Sequence, residues 1–115
     1  MEKIVEQGLL YDFYGELLTQ HQRKVYEAAV FHDLSLAEIA EEVGISRQGV
    51  HDLIKRCDHI LKEYEEKLQM VRRFYEVRQK AQEIRMLTED QQIGTDVLRS
   101  EISRLTQELM QVMET

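Results

Sequence analysis

Two short helical patterns joined by one glycine constrain the fold of this chain more than any other feature of its sequence. The first pattern starts at Ser35, and Glu38 follows three residues later, as in a capping box that satisfies the free amides of a helix start. Its apolar residues lie at helical spacing, at Leu36, Ile39, Ala40 and Val43. Gly44 follows, and glycine readily adopts the left-handed conformation that ends a helix. We therefore expect the chain to turn at Gly44.

The second pattern predicts a helix that begins at Arg47 and is capped by the Ser46 side chain. Its inward residues are Val50, Leu53 and Ile54. Two short helices at a steep angle require an apolar residue beneath the turn and small residues where they touch. Ile45 fits the first role, and Ala40 with Gly49 across from it fits the second. The sequence thus predicts a helix-turn-helix centred on residues 35–62.

The remainder of the chain also favours helix, because it contains no proline and only five glycines. An apolar face over residues 3–18 predicts a first helix with Ile4, Leu9, Leu10, Phe13, Tyr14, Leu17 and Leu18 facing inward. A capping box formed by Thr19 and Gln22 predicts a second helix from Gln20 to about Phe31, with Val25, Tyr26, Ala28 and Ala29 facing inward. We therefore expect an all-α fold with a helix-turn-helix core followed by long C-terminal helices.

Heptad spacing dominates the C-terminal half. After Arg47 no stop signal interrupts the helix for a long distance, and Leu61, Tyr64, Leu68, Val71 and Tyr75 alternate steps of three and four. The polar residues 88–95, with Gly94, predict a break. A last helix then carries a second heptad stripe at Leu98, Ile102, Leu105, Leu109 and Val112. We expect a helix-turn-helix domain over residues 1–62 and a helical extension over residues 63–115.

The two heptad stripes could pair as an antiparallel hairpin within one chain or between two chains. Phe74 beside Tyr75, and Met86 beside Leu87, leave the long helix apolar on more than one side. A lone helix would not expose such surface to water, so a partner is implied. A homodimer is the simplest partner, because a two-fold axis would also duplicate the recognition helix.

In a DNA-binding helix-turn-helix the second helix lies in the major groove, and its outward N-terminal residues contact base edges and phosphates. The candidate nucleic-acid-binding residues are Ser46, Arg47, Gln48, His51, Lys55 and Arg56. Arg and Gln suit bidentate contacts with guanine and adenine, and a capping serine suits a phosphate. Residues 47–62 hold four basic residues and two acidic ones. The alternative is that these side chains form the solvated face of a protein-binding scaffold, which the net charge of −7 and Asp52 favour.

The stretch from Leu17 to Leu61 resembles the promoter-reading C-terminal region of sigma factors. The first 70 residues are more closely similar to the YlxM-type helix-turn-helix proteins, bacterial proteins encoded beside the signal recognition particle GTPase. The matching features are the segments 11–19 (YDFYGELLT), 45–56 (ISRQGVHDLIKR) and 64–68 (YEEKL). The resemblance implies an all-helical regulator, able to dimerise, of the signal recognition particle pathway. The alternative is an adaptor, without DNA binding, for a protein or RNA component of that particle.

Other functions are disfavoured by the residues present. The sequence has no Gly-rich phosphate loop and no hydrolase or metalloprotease motif, so we expect no enzyme, no catalytic residues and no cofactor. Its four histidines are scattered and the single Cys57 has no partner, so we expect no metal site and a structural thiol. No apolar run could span a bilayer and no signal peptide is evident, which predicts a soluble, cytoplasmic protein without membrane contact.

Two further sets of residues leave alternatives open. The aromatic residues lie on apolar faces and are expected in the core, although aromatic rings also stack on bases. The basic residues of the C-terminal half interleave with Glu76 and Glu83, which is typical of a solvated helix surface, although this surface could contact RNA or an acidic partner. These basic residues are Arg72, Arg73, Arg78, Lys80 and Arg85.

Overall fold

The computed structural model describes residues 2–114, and this part of the chain contains helices and no strands. The helices are α1 (Lys3–Tyr14), α2 (Gln20–Val30), α3 (Leu36–Val43), α4 (Arg47–Leu68), α5 (Met70–Glu89) and α6 (Thr95–Glu114), and a 3-10 turn (Gly15–Leu17) follows α1. The predicted all-α class is confirmed. The chain divides into two compact units, one up to Gln69 and one from Met70 onward.

In the first unit, α2, α3 and α4 surround a core in which Val25, Ile39 and Val50 have no exposed surface. Predicted inward residues of all three helices pack against this core: Ala28, Ala29, Leu36, Val43, Leu53 and Ile54. Helix α1 packs against α2 and α4 and buries Leu10 and Tyr14. The apolar spacing therefore correctly predicts most of the core.

The predicted apolar face of the first segment is wrong at two of its positions. Ile4 is 49% exposed and Leu17 is 55% exposed. Helix α1 ends at Tyr14, and the tighter 3-10 turn that follows changes the direction of the next side chains, so Leu17 points away from the core while Leu18 is buried. Spacing along one continuous α-helix cannot anticipate this change of pitch.

Both predicted capping boxes are present. The Thr19 amide donates to Gln22 Oε1 at 2.9 Å, and the Gln22 amide donates to Thr19 Oγ1 at 3.2 Å. The Ser35 amide donates to Glu38 Oε1 at 3.2 Å, and the Glu38 amide donates to Ser35 Oγ at 3.1 Å. The first backbone amides of a helix have no carbonyl partner in a preceding turn. These bonds satisfy such amides and set the starts of α2 and α3.

Tyrosine–carboxylate hydrogen bonds join the elements of the first unit. Tyr26, which is fully buried, donates through its hydroxyl to Asp58 Oδ1 at 2.6 Å, and Gln7 Nε2 donates to the same oxygen at 2.9 Å. The Asp58 carboxylate on α4 therefore holds both α2 and α1. Tyr11 on α1 donates likewise to Glu27 on α2. Burial, followed by the Asp58 hydrogen bond, raises the pKa of Tyr26, so its hydroxyl remains a donor.

Cys57, the residue before Asp58 on α4, lies in the core of the first unit. Its side chain has no exposed surface, and burial, with a smaller contribution from the Asp58 charge, raises the pKa of its thiol to about 11. A buried, protonated thiol is a poor nucleophile and a poor metal ligand. The geometry is that of a structural cysteine, as the sequence predicted.

Helix α4 ends at Leu68, where the sequence predicted an uninterrupted helix. Gln69 adopts the left-handed conformation with φ 54° and ψ 32°, its amide donates to the Glu65 carbonyl at 2.8 Å, and α5 begins at the next residue. Glutamine rarely takes this conformation, which is why the local sequence carries no stop signal. The first unit ends at this break, at Gln69, whereas the sequence predicted the end of the first domain at Lys62.

The second unit is an antiparallel hairpin of α5 and α6. The polar segment between Glu89 and Thr95 forms the predicted break, with the Gln92 amide donating to Asp90 Oδ1 at 3.0 Å. Lys80 Nζ lies 2.9 Å from Glu108 Oε2 across the pair. The stripe on α6 faces α5, and Leu105 at its centre is fully buried. The sequence left open whether the heptad stripes pair within one chain or between two chains. The α6 stripe pairs with α5 of the same chain.

Candidate nucleic-acid interface

The turn between α3 and α4 has the predicted geometry. Gly44 lies in the left-handed region with φ 75° and ψ 31°, and its amide donates to the Ala40 carbonyl at 2.9 Å. The Ile45 amide donates to the same carbonyl at 3.2 Å, and the Ile45 side chain packs against the core of the first unit. The backbone therefore turns at Gly44, and the start of α4 is presented as a separate helix.

Replacing Gly44 with alanine tests this turn. A Cβ at Gly44 would meet no atom within 4 Å, so the expected loss of about 1 kcal/mol in unfolding free energy arises from the positive φ alone. Gly94→Ala is the matched control, because a Cβ there also meets nothing within 4 Å and its φ lies outside the left-handed region. Urea denaturation should show a loss for Gly44→Ala and none for Gly94→Ala. Equal effects would contradict the assignment.

Ser46 caps α4 as predicted, because the Gly49 amide donates to Ser46 Oγ at 2.9 Å. The predicted approach of Gly49 to Ala40 is corrected by the structure. A Cβ on Gly49 would lie 3.1 Å from Ser46 Oγ and 3.7 Å from Ile45 Cδ1, and Ala40 is not among its nearest neighbours. The small residue at this position therefore leaves room for the cap and the turn rather than for the preceding helix.

The first turns of α4 present the predicted base-reading side chains to solvent. Arg47, Gln48 and His51 are exposed and, together with Leu36 at the start of α3, line a shallow groove of about 400 Å³. Lys55 is also exposed, one turn further along the helix. The structure therefore groups three of the predicted site residues in one groove.

Asp52 orients the Gln48 side chain. Gln48 Nε2 donates to Asp52 Oδ1 at 2.9 Å, and His51 Nδ1 lies 3.6 Å from the same oxygen. From the sequence alone, Asp52 is only an unfavourable charge near phosphates. In the folded chain it also restricts the conformation of Gln48, which lowers the entropy lost when this side chain binds a ligand.

Arg56 lies in a different groove from Arg47. This second groove, of about 370 Å³, is lined by Arg56, Asp52 and Leu53 from α4 and by residues at the start of α2, among them Thr19 and His21. The start of α2 is therefore a neighbour of the recognition helix that the sequence analysis did not include. Its capping box was visible in the sequence, but its position beside α4 depends on tertiary packing.

In residues 2–114 none of the lysines and arginines of α4 has a carboxylate partner, and three of them lie in the first half of the helix. In residues 2–114, Arg72, Lys80, Arg85 and Arg104 each form a salt bridge with a glutamate, whereas Arg47, Lys55 and Arg56 form none. A cation without an internal partner loses no internal bond when it binds an anion. These three side chains are thus the α4 residues best suited to phosphate or base contacts.

Comparison with known proteins places this geometry in a family. The model of the family described as "Putative helix-turn-helix protein, YlxM / p13 like" (UPF0122) matches residues 1–110. The chain belongs to the UPF0122 family. The YlxM-type resemblance is therefore confirmed, and the family description agrees with the helix-turn-helix formed by α3 and α4.

Curated relatives extend over nearly the whole chain. A UPF0122 protein of Thermoanaerobacter sp. (strain X514) is 42% identical over 111 residues, which cover 92% of this chain and 89% of the relative. A UPF0122 protein of Bacillus cereus (strain AH187) is 40% identical over 114 residues, which cover 99% of this chain and 94% of the relative. The similarity to UPF0122 proteins thus includes the α5–α6 hairpin as well as the helix-turn-helix.

None of the helices in residues 2–114 has both the length and the mean hydropathy needed to cross a membrane. The described residues also contain no group of three or more His, Cys, Asp or Glu side chains placed to hold a metal ion.

Proposed function

We propose that this UPF0122 protein is a DNA-binding regulator that inserts the first turns of α4 into the major groove. The observation that carries the proposal is the exposed start of α4, where Arg47 and Lys55 have no carboxylate partner and Gln48 is held by Asp52. The αL turn at Gly44 separates this helix start from α3. A recognition helix contacts base edges through exposed side chains at its N-terminal end, which is where these residues lie.

The proposed contacts follow from the chemistry of each side chain. Arg47 suits the O6 and N7 acceptors of guanine, and Gln48 suits the N6 and N7 atoms of adenine. Ser46 at the helix N-terminus and Lys55 one turn later suit phosphates on either side of the groove. Arg56 and the start of α2 would contact the backbone from the second groove. The Asp52 carboxylate repels DNA phosphates, so it lowers the affinity for all duplexes and thereby favours selectivity.

A salt titration of duplex binding tests the proposal. A duplex is first selected from a random pool with the full chain, and its dissociation constant is then measured at several salt concentrations. Because only a few cations are available on a chain of net charge −7, we expect a shallow dependence, with a log–log slope of about −2 to −3. Lys67→Ala is the control, because it removes one exposed positive charge from the last turn of α4, about 18 Å along the helix from Lys55, and should leave affinity unchanged.

The acidic balance of the chain favours a second candidate, a helical adaptor that binds a protein or RNA component of the signal recognition particle. A net charge of −7 disfavours general binding to nucleic acid and is compatible with a protein partner. To test this candidate, the chain is immobilised and incubated separately with the particle's RNA and with its GTPase. Retention of either component without any duplex binding at low salt would replace the DNA-binding proposal with the adaptor.

A further inference from the structure

We propose that Leu36, at the start of α3, is a specificity-determining residue that contacts the 5-methyl group of a thymine in the major groove. This role rests on the proposed DNA-binding function and adds to it one element of the sequence that the duplex must carry. The thymine is expected close to the bases contacted by Arg47 and Gln48.

Leu36 lies among the base-reading side chains although it belongs to a different helix. It is the first residue of α3, and it lines the groove of about 400 Å³ together with Arg47, Gln48 and His51 of α4. Among the described residues that line this groove, Leu36 is the one apolar side chain, whereas the other three carry hydrogen-bonding groups. A partly exposed leucine needs no partner by itself. This one, however, lies where the recognition helix would meet its ligand.

The Leu36 side chain is held in place before any ligand binds. One side of it packs against the core of the first unit, so that it is only partly exposed. The backbone at this position is fixed by the capping box, in which the Glu38 amide donates to Ser35 Oγ at 3.1 Å. Little conformational entropy is therefore lost when the exposed side of Leu36 is covered.

The chemistry of the major groove determines what Leu36 can recognise there. Base edges in this groove present acceptor atoms and amino donors, and the 5-methyl group of thymine is the one apolar group among them. An apolar side chain placed over a polar base atom removes water without replacing the hydrogen bond, which costs free energy. Over a methyl group it removes two apolar surfaces from water, which is favourable. Leu36 therefore favours thymine over the other three bases.

The size of the groove limits where this thymine lies. A volume of about 400 Å³ corresponds to a width of about 7 Å, and successive base pairs are about 3.4 Å apart. The side chains that line the groove therefore span about two base-pair steps. Because Arg47 suits guanine and Gln48 suits adenine, we expect a guanine, an adenine and a thymine within about three consecutive base pairs, on either strand.

A thymine contact also separates DNA from RNA. Uracil takes the place of thymine in RNA and lacks the 5-methyl group. The major groove of an RNA helix is, in addition, deep and narrow, so side chains cannot read it. Leu36 would therefore meet no apolar group on the base edges of an RNA duplex. The place of Leu36 in the groove favours the DNA-binding regulator over an adaptor that binds duplex RNA.

Replacing single thymines of the selected duplex with deoxyuridine tests the contact without changing the protein. The replacement removes one methyl group and keeps the base pair. We expect a thymine within about two base pairs of the guanine to be sensitive, with about a four-fold loss of affinity for the full chain, as for one buried methyl group. Deoxyuridine in the flanks of the same duplex should leave the dissociation constant unchanged.

Leu36→Ala assigns the methyl effect to this side chain. The variant should bind the thymine and deoxyuridine duplexes equally, because no side chain remains to cover the methyl group. Leu68→Ala is the matched control and should keep the four-fold difference. Leu68 is 46% exposed at the other end of α4, about 30 Å along the helix from Gln48.

A second substitution keeps the comparison possible if Leu36→Ala weakens the fold. Leu36→Gln retains a long side chain against the core, and far-UV circular dichroism verifies the helix content of each variant. This variant should lose the deoxyuridine effect and should prefer adenine at the position of the thymine, because the glutamine amide pairs with the N6 and N7 atoms of adenine.

The possible outcomes distinguish this role of Leu36 from DNA binding as such. Duplex binding without any deoxyuridine-sensitive thymine, as expected if Leu36 touched only sugars, would overturn the thymine contact and leave the DNA-binding regulator intact. A four-fold difference that persists in the Leu36 variants would do the same. Absence of any duplex binding at low salt would refute the regulator and the thymine contact together.

Discussion

Replacing Arg47 and Lys55 together with alanine should weaken binding of the selected duplex about 100-fold at constant salt. A bidentate arginine–guanine contact contributes about 1–3 kcal/mol, and a lysine–phosphate contact adds a smaller electrostatic part. Both side chains are exposed and neither has a carboxylate partner in residues 2–114, so their removal disturbs no internal bond. The loss of affinity should therefore reflect lost DNA contacts rather than a damaged fold.

The single variants separate the two roles. Arg47→Ala should reduce discrimination at one base position, whereas Lys55→Ala should weaken all duplexes equally and reduce the magnitude of the salt slope by about 1. Fluorescence anisotropy with the selected duplex and single-base variants measures both effects, and urea denaturation verifies that stability is unchanged. An unaltered affinity in the double variant would exclude the first turns of α4 as the DNA-contacting surface.

The largest effect on stability is expected for Asp58→Ala, which should lower the unfolding free energy by about 3 kcal/mol. The carboxylate of Asp58 accepts hydrogen bonds from the fully buried Tyr26 at 2.6 Å and from Gln7 at 2.9 Å. Its removal leaves the Tyr26 hydroxyl without its acceptor inside the protein, and an unsatisfied buried group costs about 1–3 kcal/mol in addition to the lost charge-assisted bonds. The contacts of α4 with both α1 and α2 are weakened together.

Two control variants isolate the contribution of the Asp58 hydrogen bonds to the unfolding free energy. Asp52→Ala removes an exposed carboxylate from the same helix and should change stability by less than about 0.5 kcal/mol. Tyr26→Phe removes the donor but leaves Asp58 bound to Gln7, so it should cost only about 1 kcal/mol. Guanidinium denaturation of the four proteins provides the comparison. If Asp58→Ala and Asp52→Ala had equal effects, the hydrogen-bond network would not be what holds α4 in place.

Local chemistry explains why the helix starts and the turn were predictable. The Thr19–Gln22 and Ser35–Glu38 boxes, and the αL position of Gly44, involve residues within four positions of one another. Such interactions do not depend on what packs against the segment. The break at Gln69 is the opposite case. Glutamine has no intrinsic preference for a positive φ, so only the packing of the folded chain explains why it adopts φ 54° there.

In the candidate site, too, some features follow from the local sequence and others depend on tertiary packing. Periodicity along α4 correctly placed Arg47, Gln48, His51 and Lys55 in solvent, because a helix with one buried stripe exposes the remaining positions. It could not separate Arg56 from them, since the groove that contains Arg56 is completed by residues at the start of α2. The bonds from Asp52 to its neighbours depend on rotamers, which spacing does not specify.

By itself the amino-acid sequence determined the all-α class, the helix-turn-helix and most core positions, because capping, glycine conformation and apolar periodicity act over a few residues. Only the tertiary structure decided where α4 ends, which acids accept hydrogen bonds from the tyrosines, and that the apolar stripe of α6 packs on α5. Those features join residues far apart in the chain. Asp58 and Gln7 are separated by 51 positions, and no local preference can report a contact across that distance.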